Sequence, residues 1–240
     1  MPDIEALILT TVEYKDSSKI LNLYTKEGFK SVIAHGVKKH NSLSRYLSQQ
    51  CTIIKCSNPF KELSSLKDAS LLNEFENIKK DPLMYLYMTH ILELLKNTVN
   101  EDANHEKMYG FITRLLQKVN DTNLYHEYAY IFELKLLHFI GYGLQFKKCS
   151  ICSKTDDLVF AISSGGLVCK EHLDGIVHTY DESVYSVLKY LYYVDINSEI
   201  ERRLSDSERI IIRHILDVLY DEFISFHTKS MKIIKQFEKY

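Results

Sequence analysis

The chain has 240 residues, a formal net charge of −2, 45% hydrophobic residues and 26% charged residues. That length can bury a full core, and the composition excludes disordered, fibrous and disulfide-dense classes. No apolar run approaches the ~20 residues of a membrane-spanning helix, and the opening MPDIEALILT lacks the basic start of a signal peptide, so a cytoplasmic protein with no membrane contact is expected.

Residues 3–14 are rich in β-branched and aliphatic side chains and predict a strand. The KDSS turn leads to a second strand, Lys19–Thr25, in which Leu21 and Leu23 alternate with polar positions. The KEG turn leads to a third, Phe29–Val37, with Gly36 at a bulge or strand end. After the polar stretch KKHNSLSR, Gln50–Cys56 predicts a fourth strand, and Lys61–Leu72 holds a fifth behind the Asn58-Pro59 turn. Five short strands in about seventy residues fit a small β-barrel of the OB-fold kind. Cys51 and Cys56 lie in this region and read as small buried hydrophobes.

The N-terminal part is locally basic. Between residues 15 and 61, Lys15, Lys19, Lys26, Lys30, Lys38, Lys39, Arg45, Lys55 and Lys61 face only Asp16 and Glu27. Such an excess can form a basic face on a mildly acidic protein, and it can equally be a solvated strand surface. Tyr14, Tyr24, Phe29, Tyr46 and Phe60 could offer stacking faces to bases or fill the barrel. Tyr14, Tyr24 and Tyr46 are better stacking candidates than Phe29.

From Asp81-Pro82 the period changes to that of helices, with Asp as N-cap and Pro in the first turn. Leu83–Leu95 is apolar nearly all round. Met108, Phe111, Ile112, Leu115, Leu116 and Val119 mark a second helix, and Leu124–Ile140 a third, stopped by Gly141. Beyond the cysteine-rich stretch, Asp181–Val194 and a helix from Ser205 to about His227 follow, the latter opened by the capping box Ser205/Glu208. These two are expected to pack back on the first helices. The division is therefore 1–78 for the barrel and 79–240 for a helical domain with a module at 147–175 inserted, an α+β multidomain architecture. Only three prolines and no flexible linker occur, so the parts should be rigidly joined.

The inserted module reads CSICSKTDDLVFAISSGGLVCKEH, from Cys149 to His172. Cys149/Cys152 and Cys169/His172 are two pairs, each with a two-residue gap, at the spacing of a closed zinc site. Two such turns supply four soft or borderline ligands, which suits tetrahedral Zn²⁺. LVFAI, SSGG and LV between them predict a zinc-ribbon hairpin. Four protein ligands leave no place for a reacting water, so one structural zinc per chain is expected. A redox pair at Cys149/Cys152 is the alternative use of the thiols, and His178 is a less well-spaced substitute for His172.

No catalytic motif accompanies the module. GxGxxG, P-loop, HExxH and GxSxG patterns are absent. His126-Glu127 begins like a zincin, but Tyr130 stands where its second His would be. Lys148, rather than Pro, precedes Cys149, unlike a nucleobase deaminase. The reading is non-catalytic: a barrel that binds nucleic acid, or alternatively a zinc-ribbon adaptor that binds only protein.

Several stretches carry a family resemblance. YKDSSKILNLYTKEG (Tyr14–Gly28), AHGVKK (Ala34–Lys39), DASLLNEF (Asp68–Phe75), YMTHILELL (Tyr87–Leu95), FELKLLHFIGYGLQFKKCSIC (Phe132–Cys152) and GGLVC (Gly165–Cys169) together resemble the RecO family of bacterial recombination mediators over the whole chain. The resemblance implies an N-terminal OB-fold, a helical domain and a zinc module. It also implies binding of single- and double-stranded DNA, annealing of complementary strands, and action with RecR to place RecA on DNA coated by single-strand DNA-binding protein, whose acidic tail the family contacts. It places the protein at the nucleoid. Phosphates would be held by Lys15, Lys19, Lys26, Lys30, Lys38, Lys39 and Arg45. His172 stands where many members of the family have a fourth Cys, and Cys₃His is itself a valid zinc set.

Overall fold

The computed structural model describes residues 3–37, 47–57, 61, 63–200 and 202–238. The chain forms two compact units, residues 1–123 and 124–240.

The first unit begins with a meander of β1 (Asp3–Tyr14), β2 (Ser18–Thr25) and β3 (Gly28–Ala34). β4 (Ile53–Ser57) returns antiparallel along the other edge of β1. β5 (Ser64–Ser65) then runs parallel to β3, and β6 (Ser70–Asn73) antiparallel to β4. The strand order is β5-β3-β2-β1-β4-β6, so the two edge strands are consecutive in the chain. The short strip between them touches both edges: Leu66 N–H donates to Ile33 O at 2.8 Å, and Ser57 N–H donates to Lys67 O at 3.1 Å. A sheet whose edges are stitched this way must curl, and the result is an OB-like barrel that leaves few strand edges open.

The expected fifth strand is thus two pieces, because one segment serves both edges and bends between them. Ala6, Ile8, Leu21, Leu23, Val32, Ala34, Ile54 and Cys56 fill the interior. A register shift between Ile8 and Thr10 re-aims the end of β1, so that Thr11 faces Leu21 and Glu13 faces Lys19 across the ladder.

A one-turn helix, α1 (Glu76–Lys80), follows Phe75, whose backbone is left-handed with φ 50°. α2 (Pro82–Thr98) starts as the sequence predicts: the Asp81 carboxylate accepts from Leu83 N–H at 2.9 Å and Met84 N–H at 3.0 Å. α3 (His105–Thr122) is capped by Asn104. Tyr24 is fully buried here, with its hydroxyl 3.0 Å from His105 Nδ1 and its ring packed on Phe29 and Tyr109. Tyr24 therefore joins the packing between barrel and helix and offers no face to a base, contrary to its ranking above. Cys51 and Cys56 are buried thiols, as expected. Burial pushes them up to about 12 and about 11, which leaves them inert.

The second unit contains α4 (Tyr125–Phe139), a three-stranded sheet of β7 (Leu158–Ala161), β8 (Gly166–Cys169) and β9 (Thr179–Tyr180), and three further helices. These are α5 (Glu182–Tyr193), α6 (Asp206–Phe223) and α7 (Lys229–Phe237). α5 and α6 pack on α4, so the expected bundle is divided between the two units. α1, α7 and β9 were not foreseen. The capping box at Ser205 and Glu208 is present. Between α4 and α6 lies a buried ion pair: Arg213 Nη1 and Nη2 donate to the two Glu133 carboxylate oxygens at 2.7 and 2.9 Å. Asp217 Oδ1 accepts from Arg213 Nε at 3.0 Å, and Tyr220 OH donates to Glu133 O at 3.1 Å. No helix is long and apolar enough to cross a membrane among the described residues.

Candidate metal centre and nucleic-acid interface

The module grows out of α4. Past Gly141 (φ 101°), the chain runs to Phe146, which stacks on Phe160 of β7 at 5.3 Å and packs against Tyr192 of α5. These rings anchor the module to its helices. Leu158 pairs with Cys169 at the open end of the β7–β8 hairpin, and Ala161 with Gly166 at its turn. Gly166 has no room for a side chain: a Cβ there would stand 2.8 Å from Gln145 O and 2.9 Å from Ser150 Oγ. That close approach lets Ser150 N–H reach Leu167 O at 2.8 Å, which lays the first cysteine turn across β8. Ser153, at φ 65°, closes the turn by donating to Cys149 O at 3.0 Å, and Cys149 N–H donates to Lys154 O at 2.7 Å.

These local restraints bring Cys149, Cys152, Cys169 and His172 together, with one donor atom from each lying within 4.8 Å of all the others. Cys152 Sγ and Cys169 Sγ are 3.6 Å apart, and His172 Nδ1 stands 3.2 Å from Cys169 Sγ and 3.9 Å from Cys149 Sγ. A tetrahedral ion with metal–sulfur bonds of about 2.3 Å and metal–nitrogen bonds of about 2.0–2.1 Å spaces its sulfurs about 3.8 Å apart and sets nitrogen about 3.5 Å from sulfur. The spacing therefore fits a metal and does not fit a disulfide, whose sulfurs sit at about 2.05 Å. His178 is elsewhere, with its ring against that of His214, so His172 completes the set.

Electrostatics point the same way. Burial pushes the Cys149 thiol up, but the backbone N–H groups of Cys152, Cys169 and Ile151 outweigh it and draw it down to about 6. Cys169 is held up by burial and by the Cys152 and Cys149 sulfurs. Thiolates crowded together raise one another's proton affinity, and a cation at their centre removes that conflict. Around the rim, Lys154 pairs with Glu171 at 2.6 Å and Lys170 with Asp157 at 3.3 Å. The sequence did not show these pairs. The four residues could hold a metal ion in a closed site.

The zincin-like start resolves differently. His126 Nε2 lies 2.7 Å from Glu238 Oε1, while Glu127 accepts from Leu204 N–H at 2.8 Å. Both residues are structural ties within the second unit.

Of the seven residues expected to hold phosphate, the four described fall at two ends of one ladder. Lys15 is in the β1–β2 turn, 5.2 Å over the Tyr14 ring, and Lys19 is nearby on β2, 3.7 Å from Glu13. Lys26 is in the β2–β3 turn and Lys30 is on β3, 2.9 Å from Glu27. Strand geometry puts the Lys19 and Lys26 backbones about 23 Å apart, at roughly 3.3 Å per residue. The four described lysines thus form two pairs and no single cluster. Lys38, Lys39, Arg45, Tyr46 and Phe60 lie outside the described residues. Both described ion pairs are solvent-facing and worth about 0–1 kcal/mol, so a phosphate can replace either carboxylate at little cost.

Comparison with known proteins agrees with both halves. Residues 1–75 match the family Recombination protein O N terminal, and residues 79–232 match Recombination protein O C terminal. The chain is 24% identical to the DNA repair protein RecO of Bacillus cytotoxicus over 245 residues, covering 99% of this chain and 98% of that protein. It is 25% identical over 250 residues to the proteins of the same name from Bacillus mycoides and Bacillus cereus, at the same coverage. An OB-like barrel, a Cys₃His cluster set after α4 and a family match along both units lead to one conclusion: the chain belongs to the RecO family.

Proposed function

We propose that the protein is a non-catalytic mediator of recombinational DNA repair. It binds single- and double-stranded DNA, anneals complementary strands, and acts with RecR to load RecA onto single strands covered by single-strand DNA-binding protein, whose acidic tail it contacts. The observation that carries this reading is the match of both family halves along the chain, with relatives named DNA repair proteins over 99% of its length.

The barrel lysines supply the physical basis. Lys15, Lys19, Lys26 and Lys30, together with Lys38, Lys39 and Arg45, neutralise backbone phosphates and release counterions, so affinity depends on salt and little on sequence. Two strands held on such surfaces lose part of their mutual repulsion and can pair. The cluster of Cys149, Cys152, Cys169 and His172 holds zinc, which fixes the hairpin and takes no part in chemistry.

The test is an anisotropy titration with labelled single strands and duplexes across a salt series. Wild type should bind both, with log K falling linearly in log salt. Lys38→Ala combined with Lys39→Ala should weaken binding to every sequence and lower the single-strand slope by about 1.4, from two phosphates at about 0.7 each. Absence of wild-type binding to either DNA would remove this reading in favour of a protein-only zinc-ribbon adaptor.

A further inference from the structure

Inside the first unit, at the β1–β2 end of the barrel, lies a pocket of about 340 Å³ lined by Thr11, Lys19, Ser48, Gln49, Gln50, Lys79 and Tyr85. Its volume is within the roughly 300–1,000 Å³ of small-ligand sites. Among the described residues, two ammonium groups and four hydroxyl or amide side chains line it alongside Tyr85, and no carboxylate does. The strand alternation explains Lys19: it faces Ala34 and Glu13 across the ladder, on the inward-facing side but at the mouth of the barrel, where a long side chain reaches solvent.

Lys79 arrives from α1. Its ammonium donates to Gln49 Oε1 at 3.1 Å and to Thr52 Oγ1 at 2.7 Å, both neutral oxygens. An ammonium has three donors, so one remains. Among the described residues no carboxylate lies within ion-pair distance of Lys79, unlike Lys19, Lys30, Lys55 and Lys80, which each have one. Burial lowers the pKa of Lys79, with the Cys51 thiol and Glu74 countering, so this charge sits partly dehydrated without a close counter-ion. Gln50 adds a second unmet demand: its Nε2 is buried and has no hydrogen-bond partner. Such a donor is costly to leave unsatisfied. A cationic donor with one bond unspent and a buried amide without a partner thus belong to residues lining one polar pocket, with a second lysine on its wall.

We propose that this pocket is a phosphate site, and that it takes a backbone phosphate of a bound DNA strand through Lys79, Gln50 and Lys19. The anion chemistry stands on the pocket alone; the strand as its source rests on the DNA-binding reading above. Lys79 and Gln50 were absent from the lysine set read from the sequence. Lys79 extends the β1–β2 pair of lysines onto the first helix of the unit, and Gln50 adds the segment that leads into β4.

The test has two arms. In the first, inorganic phosphate is titrated into ¹⁵N-labelled full-length protein against sodium chloride at matched ionic strength. The Gln50 side-chain amide should shift saturably, and a flat response overturns the site whether or not the protein binds DNA. In the second, Gln50→Glu, which keeps the shape but lines the pocket with a carboxylate, should lower affinity for an oligo-dT strand by about tenfold and the salt slope by about 0.7. Lys79→Met, which keeps the packing stem, should do the same, and the melting temperature of each variant shows that it is folded. A phosphate shift with unchanged DNA affinity in both variants overturns the strand assignment and leaves free phosphate as the source. Failure of wild type to bind DNA counts against the function proposed above, while the phosphate arm still decides the pocket.

Discussion

Replacing Glu133 by Leu removes one half of the charge pair that ties α4 to α6. Both side chains are almost wholly enclosed, at 2% exposure for Arg213 and 1% for Glu133. Burial alone would favour a neutral guanidine, but the Glu133 carboxylate reverses this and keeps Arg213 charged at every working pH. The substitution deletes two charge-assisted bonds of 2.7 and 2.9 Å and strands the cation. Breaking a buried pair from one side costs about 3–5 kcal/mol. Asp217 remains on Nε, though its other oxygen is engaged by Lys235 at 2.6 Å, so the lower end, about 3 kcal/mol, is expected. The double variant Glu133→Leu with Arg213→Met removes both charges and should recover to within about 1 kcal/mol of wild type, because an apolar filling of similar volume avoids the desolvation cost. Urea unfolding by circular dichroism gives the free energies, and hydrogen exchange of the α4 and α6 amides localises them to the second unit. A single variant within about 1 kcal/mol of wild type, or a double variant no more stable than the single, would refute the reasoning.

Two further outcomes follow from the same geometry. Cys149→Ser should lower bound zinc and thermal stability together, since isolated zinc modules draw about 10–16 kcal/mol from the metal and an even share per ligand is roughly 2.5–4 kcal/mol. A chelator should reproduce the effect in wild type, and zinc should reverse it there; a metal-free variant that melts like wild type would show that the hairpin stands unaided. Glu208 is held below the usual carboxylate range, chiefly by the Ser205 backbone N–H and further by the Ser205 hydroxyl and Arg202. A depressed acid stabilises fully above its unfolded pKa of about 4.3 and loses that contribution as pH falls through the folded value. Glu208→Gln should therefore cost about 0.5–1 kcal/mol at pH 7 and progressively less as pH falls below the unfolded pKa, as read from paired urea titrations; a difference that stays constant into acid would contradict the capping role.

What the sequence reveals here depends on how far apart the cooperating residues lie. Cys149/Cys152 and Cys169/His172 are each held by a local turn, and one hairpin of fixed register joins the turns, so spacing alone carried the geometry. Asp81-Pro82 and Ser205/Glu208 were readable for the same reason, since caps act within one turn. The split of the fifth strand was not readable, because it follows from β5 and β6 meeting opposite edges of the same sheet. Glu133 and Arg213 are 80 residues apart, and each looks like an interruption in an apolar stripe until the other is placed against it. The barrel lysines show the limit most clearly. Their local density was visible, but the ladder sends Lys15 and Lys19 to one end and Lys26 and Lys30 to the other. Charge per stretch of chain thus misses what recognition depends on, which is charge per patch of surface. The β1–β2 end gains a cation from α1, where Lys79 meets Thr52 and Gln49 across about 30 residues, and it gains a buried amide from Gln50. Phosphate contacts fix where a strand lies without reading its bases. On the outer face of the ladder the row Thr10, Asn22 and Ser31 is bonded within itself, and Lys96 of α2 donates to Thr10 Oγ1 at 3.2 Å, so that face is engaged by the helix and the polar mouth is what the β1–β2 end offers to an anion.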